Sequence, residues 1–221
     1  MATLFVVATP IGNLRDLSER AKATLASVSV ILCEDTRVTG TLLSHVGIKT
    51  PTMSYHQHSG DNKTMKVLAL LEQGKDLALV TDAGTPGISD PGGKLVEAVV
   101  RKGFALVPIP GPSAAISALS VCGFPADEFL FLGFPPNKKG RQTYFDRLAT
   151  IESTVVIYES THRIFKSLDE IGKRTPDRRL VVCRELTKLH ETIYRGTAVE
   201  VTEALKSTSI KGEFVIVLGP V

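Results

Sequence analysis

Short apolar runs alternate with amphipathic stretches along the whole chain. The apolar runs have the length of buried β-strands, and the stretches between them carry apolar residues at helical spacing. The predicted strands are residues 4–8, 28–33, 52–55, 77–81, 105–107, 129–134, 154–158, 180–184, 191–196 and 214–218, and predicted helices include 63–73, 140–150, 163–173 and 198–206. Strands that alternate with helices indicate an α/β fold.

Proline and glycine interrupt this alternation near the middle of the chain, at residues 108–113. Such a cluster breaks regular structure and marks a boundary between units. We therefore place the boundary near residues 111–117 and predict two α/β units, residues 1–113 and residues 114–221, with assignment of the following helix to the first unit as the alternative. The chain has 221 residues, of which 43% are hydrophobic, enough to fill one large core or two smaller ones.

The loop at residues 81–93 is the strongest candidate for ligand binding. It reads TDAGTPGISDPGG and directly follows the apolar run 77–80. Glycines let backbone amides approach a ligand, and ligands of open α/β sheets bind beyond the carboxyl ends of the strands. Asp90 is predicted to cap the following helix, with Pro91 in its first turn. A tight strand-to-helix turn without a ligand is the alternative.

Composition narrows the class of protein. No run approaches the ~18 apolar residues that span a bilayer, and residues 1–4 lack the basic region of a signal peptide, so we expect a cytoplasmic protein. Cys33, Cys122 and Cys183 are odd in number and far apart, which favours reduced thiols over disulfides or a zinc site. The formal net charge is only +3, so any attraction to nucleic acid must be local.

Eight segments at predicted strand ends and in loops form a set in a fixed order. They are TPIGNL at 9–14, CEDTRVTG at 33–40, DAGTP at 82–86, SDPG at 89–92, PGP at 110–112, YESTHR at 158–163, RELTK at 184–188 and KGE at 211–213. Together they resemble the tetrapyrrole methylase superfamily, and most of all the branch that 2′-O-methylates a cytidine ribose in the decoding region of small-subunit ribosomal RNA. The resemblance implies two α/β/α units of the tetrapyrrole methylase type, with a cofactor cleft between them.

The same resemblance implies S-adenosylmethionine as cofactor. This superfamily binds it without a Gly-x-Gly-x-x-Gly loop, and the sequence contains none. The positions that match the family's cofactor contacts are Pro10, Asp82, Ala83, Gly84, Ile88, Ser113, Ala114, Tyr158, Leu186, Gly212 and Glu213. For three of them a structural role is the alternative to cofactor contact. Ile88 and Leu186 suit a hydrophobic core, and Gly212 suits a turn.

A ribose hydroxyl is a poor nucleophile, so methyl transfer to it calls for a base beside the acceptor. Carboxylates follow several predicted strands, and Asp82 is our first candidate for the base because its loop carries cofactor positions; Glu159 is the second. The remaining carboxylates are Glu34, Asp35 and Glu185. The alternative for residues 34–37 is a cluster neutralised by Arg37.

RNA contact is predicted at the basic run Lys138, Lys139 and Arg141, together with Arg163. A solvated face is the alternative for this run, and also for the basic residues at 173–179. Arg163 and Arg184 suit either a carboxylate partner, Glu159 and Glu185 respectively, or RNA phosphate. The aromatic set Tyr55, His56 and His58 suits stacking on an unpaired base. A metal site there lacks a third ligand.

The resemblance implies a homodimer that acts on small-subunit ribosomal RNA or on the assembled small subunit. Two other functions stay open: a tetrapyrrole C-methyltransferase that uses the same cofactor, and a non-catalytic S-adenosylmethionine-binding module. Family members usually continue into a small C-terminal module implicated in RNA binding, whereas this sequence ends at Val221. That difference bears on RNA affinity rather than on the cofactor positions.

Overall fold

The computed structural model describes residues 2–56, 59–90, 92–208 and 210–221. The chain divides into two compact units, Met1–Ser113 and Ala114–Val221. Within the described residues, no helix combines the length and the apolar character needed to cross a bilayer.

The first unit is built on a five-stranded sheet in which every neighbouring pair is parallel. Its elements are β1 Thr3–Val7, a short 3₁₀ turn Leu14–Asp16, α1 Glu19–Ser27, β2 Val30–Cys33, α2 Thr36–His45, β3 Thr52–Ser54, α3 Asp61–Glu72, β4 Leu77–Leu79, α4 Gly93–Arg101 and β5 Ala105–Ile109. The strand order is β3-β2-β4-β1-β5. Because all strands run the same way, their carboxyl ends share one edge of the sheet.

Helices cover both faces of this sheet. Successive strand residues point to opposite faces, so Ile31 joins a core with Leu25 of α1, whereas Leu32 joins a second core with Val67 of α3 and Leu95 of α4. All five side chains are buried at 0% exposure. The unit is therefore an α/β/α layer structure with a core on each side of the sheet.

The second unit contains a mixed five-stranded sheet of order β6-β7-β10-β8-β9. Its elements are α5 Ala114–Cys122, β6 Phe129–Phe131, α6 Arg141–Ala149, β7 Thr154–Ser160, α7 Ile164–Arg174, β8 Leu180–Arg184, β9 Thr192–Gly196, α8 Ala198–Lys206 and β10 Glu213–Leu218. Only β6 and β7 pair in parallel, and the other neighbours are antiparallel. A core between the sheet and α6, α7 and α8 includes Phe145, Leu168 and Leu205.

The α/β prediction is confirmed, and every predicted strand is present, with differences near the loops. β5 continues through Pro108 and Ile109, which an edge strand tolerates because a proline there need not donate to a neighbour. β6 ends at Phe131, so the segment up to Phe134 lies in a loop. The cysteines are free and buried, as predicted.

The predicted cap of α4 is wrong. The helix begins at Gly93 with Gly92 as its N-cap, and no side chain caps it. Gly92 has φ +136°, and a Cβ there would lie 3.0 Å from Leu79 Cδ2, so this entry into the helix depends on glycine. Pro91 lies outside the described residues. Asp90 is consequently a loop residue, and its carboxylate does not cap α4.

Candidate functional site

The loops that follow β1 and β4 are joined by a pair of backbone hydrogen bonds. The Thr9 amide donates to Gly84 O at 2.9 Å, and the Gly84 amide donates to Thr9 O at 3.1 Å. The buried Thr9 hydroxyl also donates to Thr81 O at 3.0 Å. These bonds hold the predicted cofactor positions Pro10, Asp82 and Gly84 at the same sheet edge.

Glycine is favoured at position 84 by the backbone conformation and not by a lack of space for a side chain. Its φ is +82°, a region that side-chain-bearing residues rarely adopt. A Cβ at this position would meet Ile11 Cγ2 at 3.5 Å and Pro112 O at 3.9 Å, which are ordinary contacts. The loop after β5 therefore also approaches this position.

That third loop packs on the backbone that follows β1. A Cβ on Gly111 would lie 3.0 Å from Ala8 Cβ and 3.4 Å from Ala8 O, so only glycine allows this approach without a shift. Ser113 follows two residues later at the end of the first unit. The structure thus brings the loops after β1, β4 and β5, each with predicted cofactor positions, to one edge.

The same edge is acidic. The Asp35 amide donates to Asp82 Oδ1 at 3.2 Å, which joins the loops after β2 and β4. Burial, and then the negative charge of Asp82, raise the pKa of Glu34. Burial raises the pKa of Asp90 to about 6, with the negative charges of Glu34 and Asp82 adding to the shift and the polar side chain of Thr81 opposing it. Three carboxylates therefore share this edge and influence one another.

Arg37 neutralises only one member of the acidic segment. It donates to Asp35 from Nε at 3.1 Å, from Nη2 at 2.6 Å and from its backbone amide at 2.8 Å. These bonds lower the pKa of Asp35 to about 2. The predicted self-neutralised cluster is thus formed by Asp35 and Arg37, whereas Glu34 lies in the electrostatic field of Asp82.

An acidic edge with accessible backbone suits a cationic ligand that also carries hydroxyl groups. Ile88 is 48% exposed, so core packing does not explain its presence beside this edge. Among the described residues, no group of three or more His, Cys, Asp and Glu side chains is arranged to hold a metal ion. His56 lies close enough to lower the pKa of Glu34, and His58 is outside the described residues.

In the second unit, Tyr158 connects β7 to the first turn of α5. Its hydroxyl accepts a hydrogen bond from the Ala115 amide at 3.2 Å, which places Tyr158 beside the predicted position Ala114. The ring meets Phe131 and Phe134 edge-on, with centroid distances of 4.9 and 5.4 Å. Tyr158 is therefore fixed at both its ring and its hydroxyl.

The loop after β8 and the start of β10 bring together the predicted positions Leu186, Gly212 and Glu213. The Glu213 amide donates to Glu185 Oε1 at 2.9 Å, and Lys188 Nζ lies 2.9 Å from a carboxylate oxygen of each glutamate. Gly212 has φ +133°, and a Cβ there would lie 2.5 Å from Glu185 Cγ. Leu186 is 9% exposed. This geometry is compatible with a turn role for Gly212 and also with its predicted position in a cofactor site.

Arg184 does not pair with Glu185. Its guanidinium donates to Lys211 O at 2.9 Å and to His190 O at 3.3 Å, and its residue is 7% exposed. It therefore holds the loop after β8 against the segment before β10. The cationic partner of the Glu185 carboxylate is Lys188, which the sequence pattern did not single out.

Glu159 lies in a different environment from Asp82. Its side chain has 0% exposure, and its carboxylate meets Arg163 Nε at 3.0 Å and Arg141 Nη1 at 3.9 Å. Oε1 also accepts from the Ser160 amide at 2.7 Å, and Oε2 accepts from the Ser167 hydroxyl. The carboxylate is thus enclosed by cations and hydroxyl groups of its own unit.

The four predicted RNA-binding residues fall into two groups. Lys138 and Lys139 are exposed, whereas the side chains of Arg141 and Arg163 are only 13% and 23% exposed and face Glu159. Of the two alternatives predicted for Arg163, a carboxylate partner or RNA phosphate, the contact with Glu159 is present. Ser167 lies eight residues from Glu159 on α7, and no local pattern pointed to it.

Comparison with known proteins shows which family this chain is similar to. The family model described as Tetrapyrrole (Corrin/Porphyrin) Methylases matches residues 3–202. The "Ribosomal RNA small subunit methyltransferase I" of Synechocystis sp. is 45% identical over 220 residues, which cover 99% of this chain and 79% of that protein. The protein of the same name from Thermotoga maritima is 41% identical over 218 residues, covering 99% and 98% respectively.

The fold has also been seen in solved structures. The crystal structure of uroporphyrin-III-C-methyltransferase from Thermus thermophilus matches with a TM-score of 0.68 and 18% identity, covering 99% of this chain and 94% of that one. At this identity the match concerns the fold alone. Taken with the match over residues 3–202, it leads to one conclusion: the chain belongs to the tetrapyrrole methylase family.

Proposed function

We propose that this protein transfers a methyl group from S-adenosylmethionine to the 2′-hydroxyl of a cytidine ribose in small-subunit ribosomal RNA. The observation that carries the proposal is the identity of 45% and 41%, over 99% of the chain in each case, to proteins named for small-subunit ribosomal RNA methylation. One of these relatives is matched over 98% of its own length. Proteins named for small-subunit ribosomal RNA methylation therefore include one that has no long segment beyond the region matched by this chain.

The residues of both units fit S-adenosylmethionine in their chemistry. Carboxylates at the edge of the first sheet suit a cation and ribose hydroxyls, and Gly84 leaves its backbone accessible. When bound, the cofactor supplies an electrophilic methyl group on a positively charged sulfur. We assign its binding to Pro10, Asp82, Ala83, Gly84, Ile88 and Ser113 in the first unit, and to Ala114, Tyr158, Leu186, Gly212 and Glu213 in the second.

Asp82 is our proposed base. The Asp35 amide fixes its Oδ1 at 3.2 Å, which orients the carboxylate plane, and we assign acceptance of the ribose hydroxyl proton to Oδ2. Positioning supplies most of the acceleration in such a reaction, since the acceptor oxygen must lie in line with the transferred methyl. Glu159 is the weaker candidate, because two arginines and two serines already surround its carboxylate.

The cofactor assignment is tested by placing valine at two glycines with similar backbone conformation. Gly84 has φ +82° and Gly74 has φ +79°, and Gly74 ends α3 away from the sheet edge. Gly84→Val and Gly74→Val should lose similar stability, but only Gly84→Val should lose S-adenosylmethionine binding in calorimetry. Equal affinity in the two folded variants would remove Gly84 from the cofactor site.

The acceptor is tested by offering small ribosomal subunits, free small-subunit RNA and uroporphyrinogen III with radiolabelled S-adenosylmethionine. We expect the label in RNA, at a cytidine whose adjacent phosphodiester bond resists alkaline hydrolysis because the 2′-hydroxyl is methylated. Label in the porphyrinogen alone would support the tetrapyrrole alternative, since the solved uroporphyrin-III-C-methyltransferase is similar in fold but only 18% identical. Cofactor binding without any transfer would support a non-catalytic module. A cytoplasmic location and a homodimer belong to the same proposal, and analytical ultracentrifugation tests the dimer.

A further inference from the structure

Residues 132–140 form a loop between β6 and α6 that is fixed from within the protein. Arg163 Nη1 donates to Pro135 O at 3.2 Å and also to the Asn137 side chain. Arg141 Nη1 donates to Pro136 O at 3.2 Å. Both guanidinium groups are in turn anchored by the buried carboxylate of Glu159. The 132–140 loop is therefore held in one conformation by charge-assisted hydrogen bonds.

The same loop carries an exposed aromatic ring and, four and five residues further along the chain, two exposed lysines. Phe134 is 49% exposed, although its ring also meets Tyr158 at 5.4 Å and 63°. Lys138 and Lys139 are exposed as well. Among the residues that the structure describes, no ion pair involves either of these lysines. A rigid loop thus presents an apolar ring and two uncompensated positive charges together.

The other basic run of this unit is different. Lys173 Nζ lies 2.6 Å from Asp169, and Arg174 Nε lies 2.8 Å from Asp146, so carboxylates already compensate these charges. A phosphate backbone would have to compete with those partners. Of the two basic runs, the 132–140 loop is therefore the one suited to bind an anion.

An exposed ring on a preorganised loop suits a flat partner. Single-stranded RNA is recognised largely by stacking of unpaired bases on aromatic side chains, while cationic side chains neutralise phosphates. We propose that the 132–140 loop binds a single-stranded RNA segment, with Phe134 stacking on an unpaired base and Lys138 and Lys139 contacting phosphates. The inference rests on the proposed function for its choice of RNA as the substrate. Glu159 is a positioning residue for this loop.

The test measures binding of a fluorescent single-stranded oligoribonucleotide with the decoding-region sequence. Phe134→Leu should weaken binding by about 5- to 50-fold, and Phe134→Tyr should stay within about 3-fold, because tyrosine keeps the stacking surface. Lys138→Ala/Lys139→Ala should make the slope of log affinity against log salt shallower by about 1.4, since each single-strand phosphate contact contributes about 0.7. Affinity for S-adenosylmethionine should not change in Lys138→Ala/Lys139→Ala. It is also measured in Phe134→Leu, because the Phe134 ring contacts Tyr158.

The matched control is Lys173→Ala/Lys206→Ala, which removes two exposed lysines of the same unit that are paired with Asp169 and Glu203. It should leave the salt slope nearly unchanged. The inference is overturned by unchanged RNA affinity in Phe134→Leu, by an equal slope change in the control, or by absence of RNA binding in the unaltered protein. It is also overturned if Phe134→Leu converts a dimer into a monomer in ultracentrifugation, which would make the ring part of a protein interface.

The proposed function has a separate readout. Methyl transfer to small subunits by the unaltered protein tests that function, whereas oligonucleotide binding requires no transfer. A protein that binds RNA through Phe134 but transfers no methyl would retain the inference and lose the function. Arg141 is left unaltered in these variants because its contact with Pro136 O holds the loop.

Discussion

Two carboxylate sites, one in each unit, differ in how their charge is balanced. At the carboxyl edge of the first sheet, Glu34, Asp82 and Asp90 repel one another, and the nearby Arg37 is committed to Asp35. In the second unit, a single carboxylate, that of Glu159, is balanced by two guanidinium groups and two hydroxyls. The first arrangement retains a demand for positive charge, whereas the second satisfies it internally.

The comparison shows that a strand-end carboxylate is not by itself a sign of catalysis. What separates the two sites is the set of groups that surround each carboxylate. An acidic edge with raised pKa values carries an electrostatic cost that a cationic ligand relieves, and such costs are common at functional sites. A compensated buried carboxylate instead fixes the structure around it.

The largest expected effect is on turnover. Asp82→Asn keeps the size of the side chain but removes its charge and basicity, so kcat should fall by roughly 10²- to 10⁴-fold while the Kd for S-adenosylmethionine changes much less. The matched control at the same edge is Asp35→Asn, which retains a side-chain oxygen to cap α2 and should keep most of the activity. Similar losses in both variants would show that the edge acts only through its total charge.

The second prediction concerns stability. Glu159→Gln leaves Arg141 and Arg163 without a carboxylate in a poorly solvated site, so the free energy of unfolding should fall by roughly 2–4 kcal/mol. Urea denaturation measures this change. Asp169→Asn removes a carboxylate from an exposed pair with Lys173 and should barely alter stability. A Glu159→Gln variant as stable as the unaltered protein would mean that the cluster does not support the fold.

The third prediction is a gain in stability with a definite pH dependence. The pKa of Asp90 is about 6 in the folded protein against an ordinary 3.8. Between these values the folded state keeps a proton that the unfolded state has lost, so stability falls as pH rises through this window. Asp90→Asn should therefore raise the free energy of unfolding at neutral pH by about 1–2 kcal/mol, after allowance for solvent screening. The gain should vanish near pH 4.

Urea denaturation at several pH values between 4 and 7.5 measures the difference between the unaltered protein and Asp90→Asn. Parallel pH dependences in the two proteins would contradict the raised pKa of Asp90, which burial causes first and the neighbouring carboxylates increase.

The smallest expected effect concerns Asp35, the carboxylate at this edge that Arg37 neutralises. Arg37→Ala should let the pKa of Asp35 rise from about 2 towards its ordinary value, because the guanidinium hydrogen bonds are lost. The contribution of the pair to stability is present above about pH 4 and is lost as pH falls towards 2. It is small even at neutral pH, because the Arg37 side chain is exposed to solvent. Carbon-detected NMR titration follows Asp35 and Asp90 together. A change in the pKa of Asp90 would show that Arg37 also compensates the acidic edge.

Much of the fold follows from local patterns. Apolar runs such as that ending at Arg184 in β8 were bounded correctly, since a buried strand needs a continuous apolar stretch. The start of α4 is not predicted correctly. Asp90 and the neighbouring glycines are compatible with several loop conformations, and packing near Leu79 determines that Gly92 is the N-cap. Local pattern therefore determines the elements more securely than the loops that carry the chemistry.

The candidate site was predictable to the extent that its residues follow strands of one parallel sheet. Asp82 and Gly84 come together with Thr9 for that reason. The enclosure of Glu159 was not predictable, because the Ser167 hydroxyl and the proline carbonyls of the 132–140 loop reach the cluster only through tertiary packing. The exposed position of Phe134 likewise depends on where β6 ends.

The most direct measurement is the single-turnover rate of methyl transfer at saturating S-adenosylmethionine and saturating small ribosomal subunits, for Asp82→Asn and Glu159→Gln at a temperature where both are folded. We predict that Asp82→Asn is slower than the unaltered protein by at least about 100-fold, and that Glu159→Gln, which affects the 132–140 loop rather than the reaction, stays within about 5-fold. The reverse order would contradict it and would make Glu159 the residue that takes part in the reaction.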